Sequence, residues 1–456
     1  MSRICGLIMM FILFTSRDIS AQQAIGPEQI IQQQIQILEQ QPETINQVKI
    51  GLYPYLTEPT RFAVLRNVLL QAIQRTPDNK ALVELLDWDY IQQKDFAAAY
   101  LQEVALDRRL GEQGERLMEL GSISFSNEAY ADALKSYRYV AQKGAGNKNY
   151  RQAKFEILNC LNALFCLSKN SQQSLYTMQQ EYENYFNEFG KTAATADAMY
   201  AYAITNALYL HNNSKAIALL EQTIQFSGLQ PALQAKCKLE LGDIYLENGK
   251  IWDAALLYGQ VEKAFREDPL GQEAKFRAAK IYFYTGDFVL AKSQLDVLKT
   301  ATSELIANDA LDLSLLIQEH TDNEANSAAL KNYARAELLI LQNKLVAARM
   351  TLDSISKKYP AHSIQDEILM ASYKIDMSQN LYIDAGLNLQ KIIVSYSYGI
   401  WGDDALFHLA QLKENQLNDK PEAMKLYQQL ILKYPGSFYV PEARKEFRKL
   451  RVDKEF

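Results

Sequence analysis

Apolar residues recur along this chain every three or four positions, the spacing that lines one face of a helix. Ile31, Ile35 and Leu38 open the pattern inside residues 22–41, a stretch with nine Gln, so it reads as an amphipathic helix with a polar face. Pro42, Pro54 and Pro59 cut the following stretch into short helices. Residues 22–80 form a helical entry segment without a visible repeat. Gly (19) and Pro (11) are scarce for 456 residues, so tight turns and strands are few and helices dominate.

From residue 81 the pattern returns in copies. In LGDIYLENGKIWDAALLY, Gly242, Tyr245, Ala254 and Tyr258 are spaced 3, 9 and 4. AAKIYFYTGDFVLAKSQL repeats the spacing with Ala279, Tyr282, Ala291 and Leu295. Gly249 and Gly286 each fall seven residues after the first small residue, at the turn between two helices, and Phe288 follows where an aromatic plugs the hairpin. Further copies hold Gly121, Tyr130, Ala133 and Tyr137, then Ala336, Leu339, Ala348 and Leu352, with Pro360 ending the second helix. YIQQKDFAAA fits less well through Tyr90, Phe96 and Ala99, with Asp87 where a small residue belongs. The last copy has Ala410, Ala423, Tyr427 and Pro435, and its turn carries one extra residue. The physical reason is close approach: two antiparallel helices touch at the small residue of the first and the alanine of the second. Aromatics fill the gap to the next hairpin.

The spacing and residue types resemble the tetratricopeptide repeat. The resemblance is fullest over 231–301 and 327–359 and partial over 114–142, 361–397 and 400–435. Over 81–107 and 150–227 helices are evident, but the small residues align ambiguously. It implies an all-α solenoid of about nine stacked antiparallel hairpins. The interval from Ala291 to Ala348 is 57 residues, which leaves 303–320 as an unpaired helix that should change the superhelix locally and divide the array. The expected organisation is residues 1–21 as a leader, 22–80 as the entry segment, 81–301 as the first half of the array, 302–326 as the unpaired helix and linker, and 327–456 as the second half with a C-terminal capping helix. KYPGSFYVPEARKEFRKLR and GIWGDDALFHLAQL look like repeats of bacterial periplasmic proteins of the BamD and Tol-Pal coordinator type. That narrower resemblance covers about 60 residues and speaks to location more than to role.

Composition and chemistry refine this picture. The chain is 48% apolar, enough for a buried core, with a net charge of -6, which argues against nucleic acid as the main partner. Arg3 followed by the apolar run Ile4–Phe14 is too short to span a bilayer and reads as a cleavable secretory signal with a cut before Gln22. Cys5 lies inside that run, so no lipobox is present, and no later segment is long and apolar enough to cross a membrane. Cys160, Cys166 and Cys237 read as small buried apolar residues, not as disulfide partners. His211, His320, His362 and His408 are scattered and belong to no metal motif, and no phosphate-binding or nucleophile motif occurs. Asp243 and Glu247 share a helical face and read as solvated charges; Asp404 sits near a helix start; and Arg444, Lys445, Arg448, Lys449 and Arg451 read as the polar face of a cap. No cofactor or metal is expected.

The expected function is a non-enzymatic, exported scaffold that binds protein partners, including envelope proteins. The alternative is a receptor for a glycan or peptidoglycan fragment, because aromatic rings stack on sugars. In the family that the chain resembles, first helices build the concave face. That implies Glu273, Phe276, Lys280, Phe283 and Tyr284 around Ala279. It implies Leu330, Tyr333, Glu337, Ile340 and Leu341 around Ala336, and Asp404, Phe407, Gln411, Glu414 and Asn415 around Ala410. The Lys/Asn set that clamps a terminal carboxylate in chaperone-binding relatives is absent. Phe276, Phe283, Tyr284, Tyr333 and Phe407 are the candidate partner-binding rings, either open in a groove or covered by neighbouring helices.

Overall fold

The computed structural model describes residues 26–167, 172–301, 303–321, 324–360 and 362–452, so the expected leader lies outside the described residues. The chain divides into two compact units, one up to Lys191 and the other from Thr192 onward. Among the described residues both are built of helices joined by turns, with no strand.

The first unit begins with α1 (Pro27–Gln40), α2 (Ile45–Leu52) and α3 (Pro59–Arg75). Pro27 and Pro59 stand at first helical positions, where the missing N–H removes no helix bond. Ile31, Ile35 and Leu38 are buried against Leu65, Leu69, Leu82 and Leu85, as their spacing implies. Three hairpins follow: α4 (Lys80–Gln92) with α5 (Phe96–Leu110), α6 (Glu115–Ser126) with α7 (Tyr130–Gln142), and α8 (Tyr150–Leu167) with α9 (Gln172–Phe189).

The second unit pairs α10 (Ala196–Leu208) with α11 (Asn213–Ile224), α12 (Pro231–Glu247) with α13 (Ile251–Ala264), and α14 (Pro269–Thr285) with α15 (Phe288–Leu298). A single helix, α16 (Glu304–Glu319), interrupts the series. Then come α17 (Glu324–Leu341) with α18 (Leu345–Lys358), α19 (Gln365–Ser378) with α20 (Tyr382–Ser395), and α21 (Gly402–Asn415) with α22 (Lys420–Lys433). The helix α23 (Val440–Val452) packs on α22 and closes the array.

One steric contact recurs in two hairpins. A Cβ placed on Gly242 would lie 2.4 Å from the ring of Tyr258, and one on Gly121 would lie 2.6 Å from the ring of Tyr137. The tyrosine therefore stands on the small residue sixteen positions before it. The second-helix alanines Ala99, Ala133, Ala216, Ala254, Ala291, Ala348, Ala385 and Ala423 are all completely buried. Ala254→Leu should overpack this contact and cost about 1–3 kcal/mol, read as a lower melting temperature with helix content kept. An unchanged melting temperature would show that α12 and α13 do not meet there.

The turn after the first helix has its own signature. A left-handed residue ends it in hairpin after hairpin: Lys94, Glu128, His211, Gly249, Gly286, Asn343, Asn380 and Asn418 all have positive φ. Glycine holds this position in two copies and asparagine in three, the residue types that adopt it at least cost.

Two sequence expectations are corrected here. Cys160 and Cys237 are buried and burial pushes both thiols up to about 12, but Cys166 is exposed at the end of α8. Asp243 is no solvated charge: it accepts a 2.5 Å hydrogen bond from the Tyr258 hydroxyl and pairs with Arg277, which also bonds Glu273 at 2.6 Å.

Candidate functional site

The inward faces of several first helices in the second unit meet around a cavity of about 570 Å³. α14 supplies Phe276, Lys280, Phe283 and Tyr284; α17 supplies Tyr333 and Glu337; α19 supplies Lys374. Ile400 and Trp401 lead into Asp403 and Asp404 at the start of α21, and Gly436–Tyr439, just before α23, closes one side. The remaining wall is α16, through Leu305, Asn308, Asp309, Asp312, Leu313 and Leu316. Those residues recur every three or four positions, so the unpaired helix turns one whole face to the cavity.

α16 is fastened along its length. Ser314 Oγ donates to Asp296 Oδ1 of α15 at 3.0 Å, and Leu316 and Ile317 are buried. At its C-terminal end the buried His320 ring lies with Nδ1 3.3 Å from Ser363 Oγ and Nε2 3.7 Å from Glu367 Oε1 of α19. The insertion thus turns an inner groove into a walled chamber.

Four of the five candidate rings, Phe276, Phe283, Tyr284 and Tyr333, line this chamber. Phe276 is half-buried, while Phe283, Tyr284 and Tyr333 are buried in its wall. Phe407 is not among the lining residues. It is buried, and it stacks on Tyr439 with ring centroids 4.4 Å apart, so it supports the wall from behind. Trp401, Phe438 and Tyr439 also line the chamber, and the repeat spacing did not index them because they lie before or after the first helices.

Charge is distributed unevenly. Asp309, Asp312, Asp403, Asp404 and Glu337 line the chamber with Lys280 and Lys374. Lys374 Nζ is taken up by Glu337, 3.3 and 3.5 Å away, and lies 5.8 Å from the Trp401 ring centre. Lys280 Nζ lies 5.9 Å from the ring centres of both Phe276 and Tyr284. Asp404 accepts from the Tyr439 hydroxyl at 2.8 Å. Burial, with Asp403 and Asp312 adding to it against that hydrogen bond, raises Asp404 to about 6. Burial also raises Asp312, and Asp309 and Asp403 raise it further. Tyr284 is 8% exposed, and among the described residues its hydroxyl makes no hydrogen bond.

Among the described residues no group of three His, Cys, Asp or Glu side chains is placed to hold a metal ion. No helix there is long and apolar enough to cross a membrane.

Fold and chamber together define a helical-hairpin repeat protein. Residues 404–437, which span most of α21, α22 and the turn after it, match the family model of the tetratricopeptide repeat, so the chain carries that repeat in its last hairpin. The sequence has no significant match among curated proteins. Among solved structures it is similar to a tetratricopeptide repeat protein from Parabacteroides merdae ATCC 43184, at 12% identity over 66% of this chain and 99% of that one, with a TM-score of 0.35. It is also similar to the P58(IPK) TPR domain, at 13% identity over 90% of this chain and 98% of that one, with a TM-score of 0.24. Neither superposition is close enough to transfer a site to this chain.

Proposed function

We propose that this protein is an exported, non-enzymatic scaffold of the bacterial envelope that seats a segment of a partner protein in the chamber of its second unit. The observation that carries the proposal is the chamber itself, a concave, ring-lined space on the inner faces of stacked hairpins. Such inner faces are the extended binding surfaces of helical repeat arrays. The tetratricopeptide repeat at 404–437 contributes Asp404, Gly436 and Ser437 to the chamber wall, and it supports protein binding as the activity. The apolar leader-like run before Gln22 and the resemblance of the last hairpin and α23 to periplasmic repeats support the location.

A photo-reactive phenylalanine tests this when it replaces Phe438, which lines the chamber yet is 72% exposed. The control position is Trp252 on α13, 69% exposed and not part of the chamber. In the native host, irradiation should join residue 438, and not residue 252, to one partner in the envelope fraction. The cross-linked chain should begin at Gln22. Equal labelling from both positions, or recovery with Met1 intact in the cytoplasm, would refute the proposal.

A further inference from the structure

We infer that the chamber is selective for cations and receives an arginine or lysine side chain of the partner segment, with Asp309, Asp312, Asp403 and Asp404 as counter-charges. This deepens the preceding reading and rests on it.

Charge arithmetic at the wall comes first. Glu337 and Lys374 neutralise each other, which leaves four aspartates against Lys280. Asp309 and Asp312 stand exposed to the chamber from α16, facing Asp403 and Asp404 from α21. A small metal ion does not suit this arrangement, because the carboxylates do not converge on one point. An organic cation does. A guanidinium spreads five donors over a plane, and a primary ammonium carries three on a flexible stem, so either can reach carboxylates set apart around a cavity.

Two independent features point to the same class. The chamber wall already accommodates cations beside rings, Lys280 near Phe276 and Tyr284 and Lys374 near Trp401. Ring faces attract a cation that has lost water on entry. The second feature is the Tyr284 hydroxyl, held in a nearly buried ring on the wall without a hydrogen bond, and so available to accept one from an N–H donor.

Protonation supplies a signature. Asp404 faces Asp403, Asp312 and the Tyr439 hydroxyl, Asp312 faces Asp309 and Asp403, and Lys280 opposes the rise at Asp309. An arriving cation favours the ionised carboxylates, so binding should release protons near pH 6 and tighten as pH rises from about 5 to 7.

The experiment is calorimetric titration of the full chain with a hexa-arginine amide at pH 6, in two buffers of different ionisation enthalpy. The expected result is saturable binding with net proton release. Asp312→Asn with Asp403→Asn should weaken it about tenfold or more, since each removes a charge-assisted contact. Glu267→Gln with Asp353→Asn, which neutralise two exposed acids outside the chamber, should change it less than twofold. Equal weakening by the two pairs would show that the peptide coats the acidic surface, and the inference would fall. Removing like charges leaves packing untouched, and Asp309→Asn provides a second chamber variant if the pair folds poorly. A neutral peptide of alternating Phe and Ser separates the two claims. If it binds and blocks cross-linking at residue 438 while hexa-arginine does not bind, the chamber remains a partner site and cation selectivity is wrong. If the cross-link at residue 438 is absent throughout, the partner-binding reading fails as well.

Discussion

Replacing Gly271 by alanine should destabilise the second unit by about 3 kcal/mol, the upper part of the range for overpacked cores. Gly271 is the third residue of α14, where the chain has just folded back on itself: its N–H donates to the Asp268 carbonyl at 2.9 Å, and the Asp268 side chain caps Leu270 N at 2.9 Å. A Cβ at this position would fall 1.8 Å from the carbonyl oxygen of Phe265 and 2.5 Å from its carbon. The obstacle is backbone, which cannot rotate aside as a long side chain can. The start of α14 must shift or the turn must open. Because α14 carries Phe276, Lys280, Phe283 and Tyr284, the same shift should disturb the chamber. Thermal melting of Gly271→Ala beside Gly259→Ala gives the comparison. Gly259 lies in the middle of α13 with nothing within 4 Å of a Cβ, so alanine there should be neutral or gain up to about 1 kcal/mol. Equal melting temperatures for the two variants would contradict the geometry at Gly271.

Asp87→Asn should stabilise the first unit by an amount that grows with pH. Asp87 occupies the small-residue position of the α4/α5 hairpin, and Glu103, sixteen residues on, occupies the position of the tyrosine. Both are 5% exposed. Glu103 is bonded by Arg116 Nε at 2.7 Å, whereas neither Asp87 oxygen accepts a hydrogen bond. As two carboxylates the pair would repel with Asp87 unsatisfied. As carboxyl and carboxylate it shares a proton. Burial first, and then the bond to Glu103, therefore hold Asp87 far above the ordinary aspartate range. A raised folded-state pKa gives stability that is complete below the ordinary value and is lost as pH rises toward the folded one. The loss is roughly 1.4 kcal/mol per pH unit from near pH 4 upward, on the order of 4 kcal/mol by pH 7. Asparagine keeps a donor for Glu103 and removes the titration. Urea unfolding followed through Trp88, on α4 itself and packed against the first unit's core, should show variant and parent nearly equal at pH 4 and far apart at pH 8. Parallel pH profiles would mean that Asp87 is ionised in the folded protein.

The hairpins were legible because their closest contact is steric and local. Glycine or alanine followed twelve residues later by alanine is a rule written in residue types, and it marked Gly121, Gly242, Ala279 and Ala336. Where that rule was broken the reading became ambiguous. Ile204 and Tyr373 stand at the small position of α10 and α19, and the left-handed turns there use His211 and Asn380, which composition does not flag as glycine would be. The Asp87 anomaly was visible, but its partner Glu103 emerges once the sixteen-residue contact of Gly242 with Tyr258 is known. The chamber was half legible for the same reason. First-helix periodicity gathered Phe276, Phe283, Tyr284 and Tyr333. It could not index α16, Trp401 or Tyr439, since an insertion and a linker have no register in the repeat. Phe407 follows the covered alternative, because Tyr439 fills the space that its ring would otherwise face.

The tyrosine seated on its glycine has a consequence for how the chain folds. A contact sixteen residues long closes early and at small entropic cost, and the neighbouring hairpin is the next thing each hairpin meets. Such an array can zip up from several nuclei and fray from its ends, without the single all-or-none step of a small globular domain. The hydrogen bond from Gln342 Nε2 to the Leu246 carbonyl, 3.3 Å long, joins residues 96 apart and works against this locality. It ties the turn after α17 to the end of α12, with α13 to α16 between them in sequence. Amide hydrogens of α12 to α17 are therefore the ones that should outlast those of α22 and α23 as the second unit opens.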